Sequence, residues 1–203
     1  MKNFVIITLL LYAQLSQCIH EKYVQRLCNN VCKAIRSRNK SEAKLYVKRL
    51  AKLNPPKNLI KYYFESTGDE EGYFHDAISM GATETVKTLI RLGIDVNTRS
   101  IRYTRRPLHE AALSGQYEIA KLLIKNGAKI DCYTADGKTP LIYACIYCNK
   151  NIAMLLIKHG AQIPRNISEI VRAEHKNLSR YSWFDKQAAD KFLTWLDKFL
   201  SVY

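Results

Sequence analysis

Glycine and proline are scarce in this chain, which has 8 and 5 of them among 203 residues. Their scarcity excludes collagen and low-complexity sequence, which need far more of both. Long apolar runs are also missing, since the longest covers only residues 4–13 and is interrupted at Thr8. A membrane-spanning helix needs about 20 apolar residues, so a multi-span membrane protein is excluded. With 47% apolar and 25% charged residues, the composition predicts a globular protein.

Catalytic and cofactor-binding motifs are absent as well. The sequence has no Gly-rich phosphate loop, no Gly-x-Ser-x-Gly elbow and no His-Glu-x-x-His motif. A Cys148–His159 pair would offer a nucleophile and a base, but we expect the two residues at opposite ends of a helix pair. Cys145-x-x-Cys148 has the spacing of zinc ligands without the second pair that zinc needs. We therefore predict a protein that is not an enzyme and that binds no cofactor and no metal.

Acidic residues are few, because 18 Asp and Glu face 32 Lys and Arg, for a net charge of +14. Residues 20–66 hold 12 basic and 3 acidic side chains, so this region carries +9 of the excess. Lys44, Lys48 and Lys52 are four residues apart and share one helical face. With Arg36 and Arg49 they form a predicted basic patch in helices at residues 22–61. The patch either binds nucleic acid or an anionic membrane, or is a solvated helix face.

The first 18 residues have the pattern of a secretory signal peptide. A positive start at Lys2 precedes the apolar run, and a polar tail ends at Cys18. About 10 apolar residues suit a signal-peptide core and are too few to span a bilayer. We predict cleavage near Cys18 and a secreted chain, or a cytoplasmic one if the segment is kept. The five later cysteines have helical spacing, which does not indicate a disulfide framework.

Three segments of the chain align with one another. Each contains two apolar blocks and ends at a glycine, and Gly93, Gly127 and Gly160 are 34 and 33 residues apart. Residues 106–111 read Arg-Pro-Leu-His-Glu-Ala, and residues 139–144 read Thr-Pro-Leu-Ile-Tyr-Ala. The period and these motifs resemble the ankyrin repeat, which has Thr-Pro-Leu-His-x-Ala at this place. The resemblance implies an all-α solenoid of stacked helix-turn-helix units with helical caps at both ends.

The resemblance also sets the predicted boundaries within the chain. Residues 67–97 are a degenerate first repeat, residues 98–131 the second and residues 132–164 the third. Residues 19–66 and 165–203 have helical spacing and are predicted as the caps that shield the terminal repeats.

Residues 19–66 have a second interpretation, as a degenerate repeat of their own. Ala34 then aligns with Ala77, at an offset of 43 residues instead of 33 or 34. The longer offset requires an insertion, which we place around Pro55 and Pro56.

Individual repeat residues have predictable structural roles. Pro107 and Pro140 should begin the first helix of their units, because proline at the first helical position leaves no N–H unpaired. His75 and His109 are expected to brace the neighbouring loops and not to act in catalysis. The loop at 97–105 has one residue more than the next loop, which predicts a longer finger.

In ankyrin proteins the partner usually lies along the loop fingers and the exposed positions of each first helix, so the resemblance implies protein binding there. Carried over position by position, the predicted partner-binding residues are Met80, Arg99, Arg102, Tyr103, Arg105, Leu113, Ser114, Asp136, Lys138, Ile146 and Tyr147. The finger at 99–106, rich in Arg and Tyr, is the strongest candidate for binding an acidic protein surface, with a solvated loop as the alternative. Repeats behind a signal peptide resemble the secreted ankyrin proteins of intracellular bacteria, which implies an effector acting on a host protein. Apart from that resemblance, we predict a monomer.

Overall fold

The computed structural model describes residues 2–65, 72–100, 104–182 and 184–202, with side chains for residues 17–64 and for the three later ranges. All regular structure in this part of the chain is helical, which confirms the predicted all-α fold. The helices are α1 (Lys2–Arg36), α2 (Lys40–Lys52), α3 (Lys57–Glu65), α4 (Tyr73–Ser79), α5 (Thr83–Arg91), α6 (Pro107–Leu113), α7 (Tyr117–Lys125), α8 (Pro140–Ile146), α9 (Lys150–Lys158), α10 (Ile167–Leu178) and α11 (Lys186–Leu200).

The helices form two stacked rows. The inner row consists of α1, α4, α6, α8 and α10, each in contact with the next. The outer row consists of α2, α5, α7 and α9, each turned back from its inner-row neighbour. Nearly all of the buried apolar residues form one continuous core from Val24 to Leu196. Because a single helix pair cannot bury its own apolar face, stacking between neighbouring pairs stabilises this arrangement.

Turn geometry shows that α1 and α2 pair in the same way as the three aligned units. The residue between first and second helix is left-handed in all four pairs, with φ of 54°, 69°, 71° and 58° at Arg38, Gly81, Gly115 and Cys148. In each pair, the N–H of the residue after the left-handed one donates to the carbonyl of an alanine in the first helix. These alanines are Ala34, Ala77, Ala111 and Ala144. The α1–α2 pair therefore shares its turn geometry with the three aligned units.

The insertion that this alignment requires lies partly within α2. That helix has 13 residues, whereas α5 has 9, a difference of about one turn. The other five or six residues lie in the connection between α2 and α4, which contains α3. The proline pair at 55–56 directly precedes α3 within this connection.

The two fingers between the repeats differ in length as the sequence predicts. In the second finger the Thr134 N–H donates to the Lys138 carbonyl at 3.1 Å. In the first finger the Ser100 N–H donates to the Arg105 carbonyl at 2.8 Å, which closes a loop one residue longer. Thr104 takes a left-handed backbone at φ 52° within this longer loop. Residues 101–103 lie outside the described part of the chain.

The predicted cleavage point lies within a continuous helix. α1 runs unbroken through Cys18, and the side chains of residues 17–23 are all exposed. The first buried side chain among the described residues is Val24. Among the helices that the structure describes, none is both long and apolar enough to span a bilayer.

α10 and α11 close the other end of the stack. α10 packs against α8 in the inner row, and α11 packs against α10 and buries Phe192 and Leu196. The Lys150 ammonium lies 4.7 Å from the ring centroid of Trp195, which ties α11 to the start of α9. This is the contact pattern expected of a C-terminal cap.

Candidate functional site

The candidate site, which we call the finger face, consists of the described finger residues at 94–100, 104–106 and 128–139 and the exposed ends of α6, α8 and α10. It can present a fixed surface only if the fingers are held in place. Buried histidines, side-chain amides and ion pairs do this.

His109 fixes the second finger to α6. Its Nδ1 accepts a hydrogen bond from the Arg106 N–H at 3.1 Å, so the ring proton is on Nε2. Nε2 lies 3.0 Å from the Cys132 carbonyl and 3.2 Å from the Lys138 carbonyl and donates to both. Burial lowers the pKa of His109 to about 4, so the ring is neutral at pH 7.

His75 has the same role one repeat earlier, which confirms the bracing predicted for both histidines. Its Nε2 lies 3.2 Å from the Arg105 carbonyl in the first finger and donates to it. Burial lowers the pKa of His75 to about 4 as well. Neither histidine is exposed to solvent, so neither is available to a substrate.

Polar side chains link the base of each finger to the next unit. The Asn97 amide accepts from the Lys129 N–H at 2.9 Å and donates to the Gly127 carbonyl at 3.0 Å. One repeat later, the Asp131 carboxylate accepts from the Gln162 N–H at 3.2 Å. At the finger tips, Ala135 N–H and the Thr104 hydroxyl oxygen are 2.6 Å apart, which joins the two fingers directly. Within the described residues, hydrogen bonds therefore hold the base of each finger and join Thr104 of the first finger to Ala135 of the second.

Charged residues on the finger face pair with one another. Lys138 Nζ lies 2.5 Å from Asp136 Oδ2 and 3.2 Å from Glu174 Oε1. Burial by itself would lower the pKa of Lys138, but its bonds to the two carboxylates outweigh burial and raise it. Arg105 Nε lies 3.3 Å from Glu110 Oε2. Two cations therefore face three carboxylates, so this part of the face is not basic.

Tyrosines supply the apolar surface of the face. Tyr143 packs edge-on against His109, with the ring centroids 5.8 Å apart. Tyr147 is half-buried next to the charges of Arg105 and Glu174, and burial raises its pKa. Tyr133 is 57% exposed on the second finger. Tyrosine and arginine are the residue types that most often anchor protein interfaces.

Six of the predicted partner-binding residues are accessible on or beside this face, namely Arg99, Leu113, Ser114, Asp136, Lys138 and Tyr147. Arg105 also lies there, but its side chain is only 14% exposed and is paired with Glu110. Arg102 and Tyr103 lie outside the described residues.

The predictions for Met80 and Ile146 are wrong, because these side chains are 6% and 4% exposed. Met80 ends α4 and joins the continuous core at the turn into α5. Ile146 is covered by α10, where His175 Nε2 donates to the Ile146 carbonyl at 2.8 Å. Sequence position alone did not reveal these neighbouring helices.

Four residues described above on the finger face were missed from the sequence, namely Glu110, Tyr133, Tyr143 and Glu174. Cys132 and Thr134 are buried and Tyr133 between them is exposed. Such alternation is typical of an extended backbone, so an extended finger predicted from the sequence would have indicated that Tyr133 is exposed. Glu174 comes from α10, and no local pattern connects it with Lys138.

The predicted basic patch is only partly a free surface. Lys44, Lys48, Lys52 and Arg49 are exposed along α2. Arg36, in contrast, donates to the Tyr73 hydroxyl at 2.7 Å and lies 5.4 Å from the centroid of that ring. Its guanidinium therefore joins α1 to α4.

The cysteine chemistry considered from the sequence is not favoured by the geometry. Cys148 Sγ lies 3.8 Å from His175 Nε2, whereas His159 is exposed at the end of α9. Burial raises the pKa of Cys148 to about 11, so the sulfur is a neutral thiol at pH 7. Within the described ranges, no three His, Cys, Asp or Glu side chains are grouped to hold a metal ion.

Comparison with known proteins agrees with the resemblance. Residues 74–167 match the family model described as "Ankyrin repeats (3 copies)". Protein phosphatase 1 regulatory subunit 27 of Homo sapiens is 42% identical over 66 residues, 32% of this chain and 42% of the relative. The Mus musculus protein of that name is 50% identical over the same shares of both chains. Potassium channel KOR2 of Oryza sativa subsp. japonica is 38% identical over 73 residues, 36% of this chain and 10% of the channel. The chain thus spans less than half the length of these relatives.

Proposed function

We propose, from the premise that residues 74–167 are three ankyrin repeats, that the chain is a non-enzymatic module that binds a partner protein on its finger face. Ankyrin repeats generally mediate protein–protein interaction. The observation that carries the proposal is a prearranged surface, in which His75, His109 and Asn97 hold the fingers while Tyr133 and Tyr147 remain accessible. Since the surface is ordered before binding, little conformational entropy is lost on association.

The mechanism that follows is occupancy of a partner's surface. The bound protein would be blocked or recruited without any change in covalent chemistry. The described face has mixed charge, which suits a partner that offers both cations and carboxylates around an apolar centre. The sequence predicts an acidic partner, and binding of such a partner would depend on Arg99 and Arg102, because Arg105 is already paired with Glu110.

One relative is a regulatory subunit of protein phosphatase 1. That phosphatase is therefore a natural first partner to test with the purified full chain. The secreted-effector proposal instead directs the search to proteins of a host cell.

Replacing Tyr133 with alanine should weaken partner binding about 30-fold, because an aromatic anchor at an interface contributes about 2 kcal/mol. The matched control is Tyr181→Ala, since Tyr181 is 56% exposed and Tyr133 is 57% exposed. Immobilised full-length chain would capture proteins from an extract, and titration calorimetry with the purified captured protein would give the dissociation constants. Equal affinities of the wild type, Tyr133→Ala and Tyr181→Ala would count against binding on the finger face.

We also propose that the first 18 residues are removed and that the chain is exported. The cleavage point lies where the helix is exposed on all sides, and the described core begins only at Val24. Cleavage should therefore leave the described core unchanged. Intact-mass measurement of the natural protein should find a chain that begins near Ile19 outside the producing cell. Full-length chain kept in the cytoplasm would contradict both export and the effector role.

A further inference from the structure

The outer-row helices carry a regular array of basic side chains that extends beyond the patch predicted on α2. Each outer-row helix is followed by a residue with a left-handed backbone, and two positions before that residue the side chain is basic in every helix. The left-handed residues are Asn54, Gly93, Gly127 and Gly160. The basic residues are Lys52, Arg91, Lys125 and Lys158. The position one turn earlier holds Lys48, Lys87, Lys121 and Met154. Seven of these eight equivalent positions are therefore basic.

The array keeps an excess of positive charge, because α2, α5, α7 and α9 together contain 11 basic and 3 acidic side chains. Of the seven basic side chains, Lys87 is partly exposed and the other six are exposed. The structure gives none of them an ion pair with a described residue. The carboxylates of α2, α5 and α7 lie instead in the first turn of each helix, at Glu42, Glu84 and Glu118. Lys52, Arg91, Lys125 and Lys158 occupy the opposite ends of their helices. Lys87 and Lys121 lie nearer the middle, and Glu84 and Glu118 line a groove with them.

The array extends in two dimensions. Along one helix, residues four apart are separated by about 6 Å of rise. From helix to helix the separation is about 8–10 Å, so the four helices span roughly 30 Å. Two exposed apolar side chains, Tyr117 and Met154, line a groove between α7 and α9 together with Lys121 and Lys158.

We propose that this outer-row surface docks on a membrane that contains anionic phospholipids. The array presents positive charge in two dimensions, and an anionic bilayer presents negative charge in two dimensions as well. A duplex nucleic acid would contact this broad surface only along its phosphate backbones. Lysine among exposed apolar side chains is the composition of proteins that lie at a membrane interface, because the apolar groups enter the headgroup region. The finger face is on the other row of helices and remains open to a protein partner.

Sedimentation with vesicles tests this surface in the full-length chain. The probes are phosphatidylcholine vesicles with 30% phosphatidylserine, pure phosphatidylcholine vesicles and a 30-base-pair DNA duplex. We expect binding to the first vesicles at low salt, release at high salt, and little binding to the other two probes. The triple variant Lys121→Gln, Lys125→Gln and Lys158→Gln should bind about 100-fold more weakly, at about fivefold for each lysine.

The matched control removes the same charge elsewhere. Lys129, Lys176 and Lys186 are exposed on the second finger, α10 and α11, and their triple glutamine variant should bind vesicles as the wild type does. Circular dichroism melting would show that both triple variants fold. Equal losses in the two variants, equal binding to both kinds of vesicle, or tighter binding to the duplex than to the vesicles would each overturn the proposal.

Discussion

Lowering the pH from 7 to 5 should reduce the free energy of unfolding by about 4 kcal/mol, from two histidines at about 2 kcal/mol each. His75 and His109 both have pKa values of about 4 in the folded chain, because burial disfavours the charged ring. In the unfolded chain their pKa values return to about 6.5. Between these values the unfolded state binds more protons than the folded state. Stability is therefore full above pH 6.5 and is lost as the pH falls toward 4.

Urea denaturation at pH 7, 6 and 5 measures this loss. The double variant His75→Gln and His109→Gln should be less stable at pH 7 but should lose less further stability on acidification. His159→Gln is the matched control, because His159 is exposed at the end of α9. It should keep the full acid response. If the wild type is equally stable at pH 7 and 5, the histidines are not the buried neutral braces described above.

Replacing Leu50 with alanine should reduce the free energy of unfolding by about 3 kcal/mol. Leu50 is fully buried in α2, which packs against α5, and its truncation leaves a cavity in the core shared with the repeats. If the α1–α2 pair is the first unit of the stack, hydrogen exchange should accelerate in α5 as well as in α2.

Leu45→Ala gives the same chemical change in the same helix at a side chain that is 47% exposed. It should change stability by no more than about 0.5 kcal/mol. A Leu50→Ala chain whose α5 keeps wild-type protection would contradict the stacking of the N-terminal pair on the repeats.

The repeats were predictable because each signal is local. Pro107 begins α6 and Pro140 begins α8, as expected from the fixed φ of proline and its missing N–H. The extra residue in the first finger was visible from spacing alone. Repetition made these weak signals reliable, since an accidental match would not recur every 33 or 34 residues.

Features that depend on neighbours in space were not predictable. Met80 and Ile146 occupy positions that the resemblance exposes, but the turn into α5 and the added α10 bury them. Arg105 is a candidate anchor in sequence, yet Glu110 pairs with it in the fold. Residue type and local spacing contain none of these contacts.

The distribution of charge shows a different kind of limit. Counted by segment, residues 67–164 hold 12 basic and 10 acidic side chains and are nearly neutral. The fold places Arg91, Lys125 and Lys158 on the outer row, while Glu110 and Asp136 lie on the finger face. Counting charge by position within the repeat would have revealed the array.

Site-specific photo-crosslinking in living cells tests the binding of a protein on the finger face most directly. A benzophenone amino acid would replace Tyr133 on the finger face, Tyr181 beyond α10 or Lys121 on the outer row, one site in each variant. We expect a discrete protein adduct from position 133 that is absent from positions 181 and 121. The same adduct from position 121 or 181, with none from position 133, would contradict binding on the finger face.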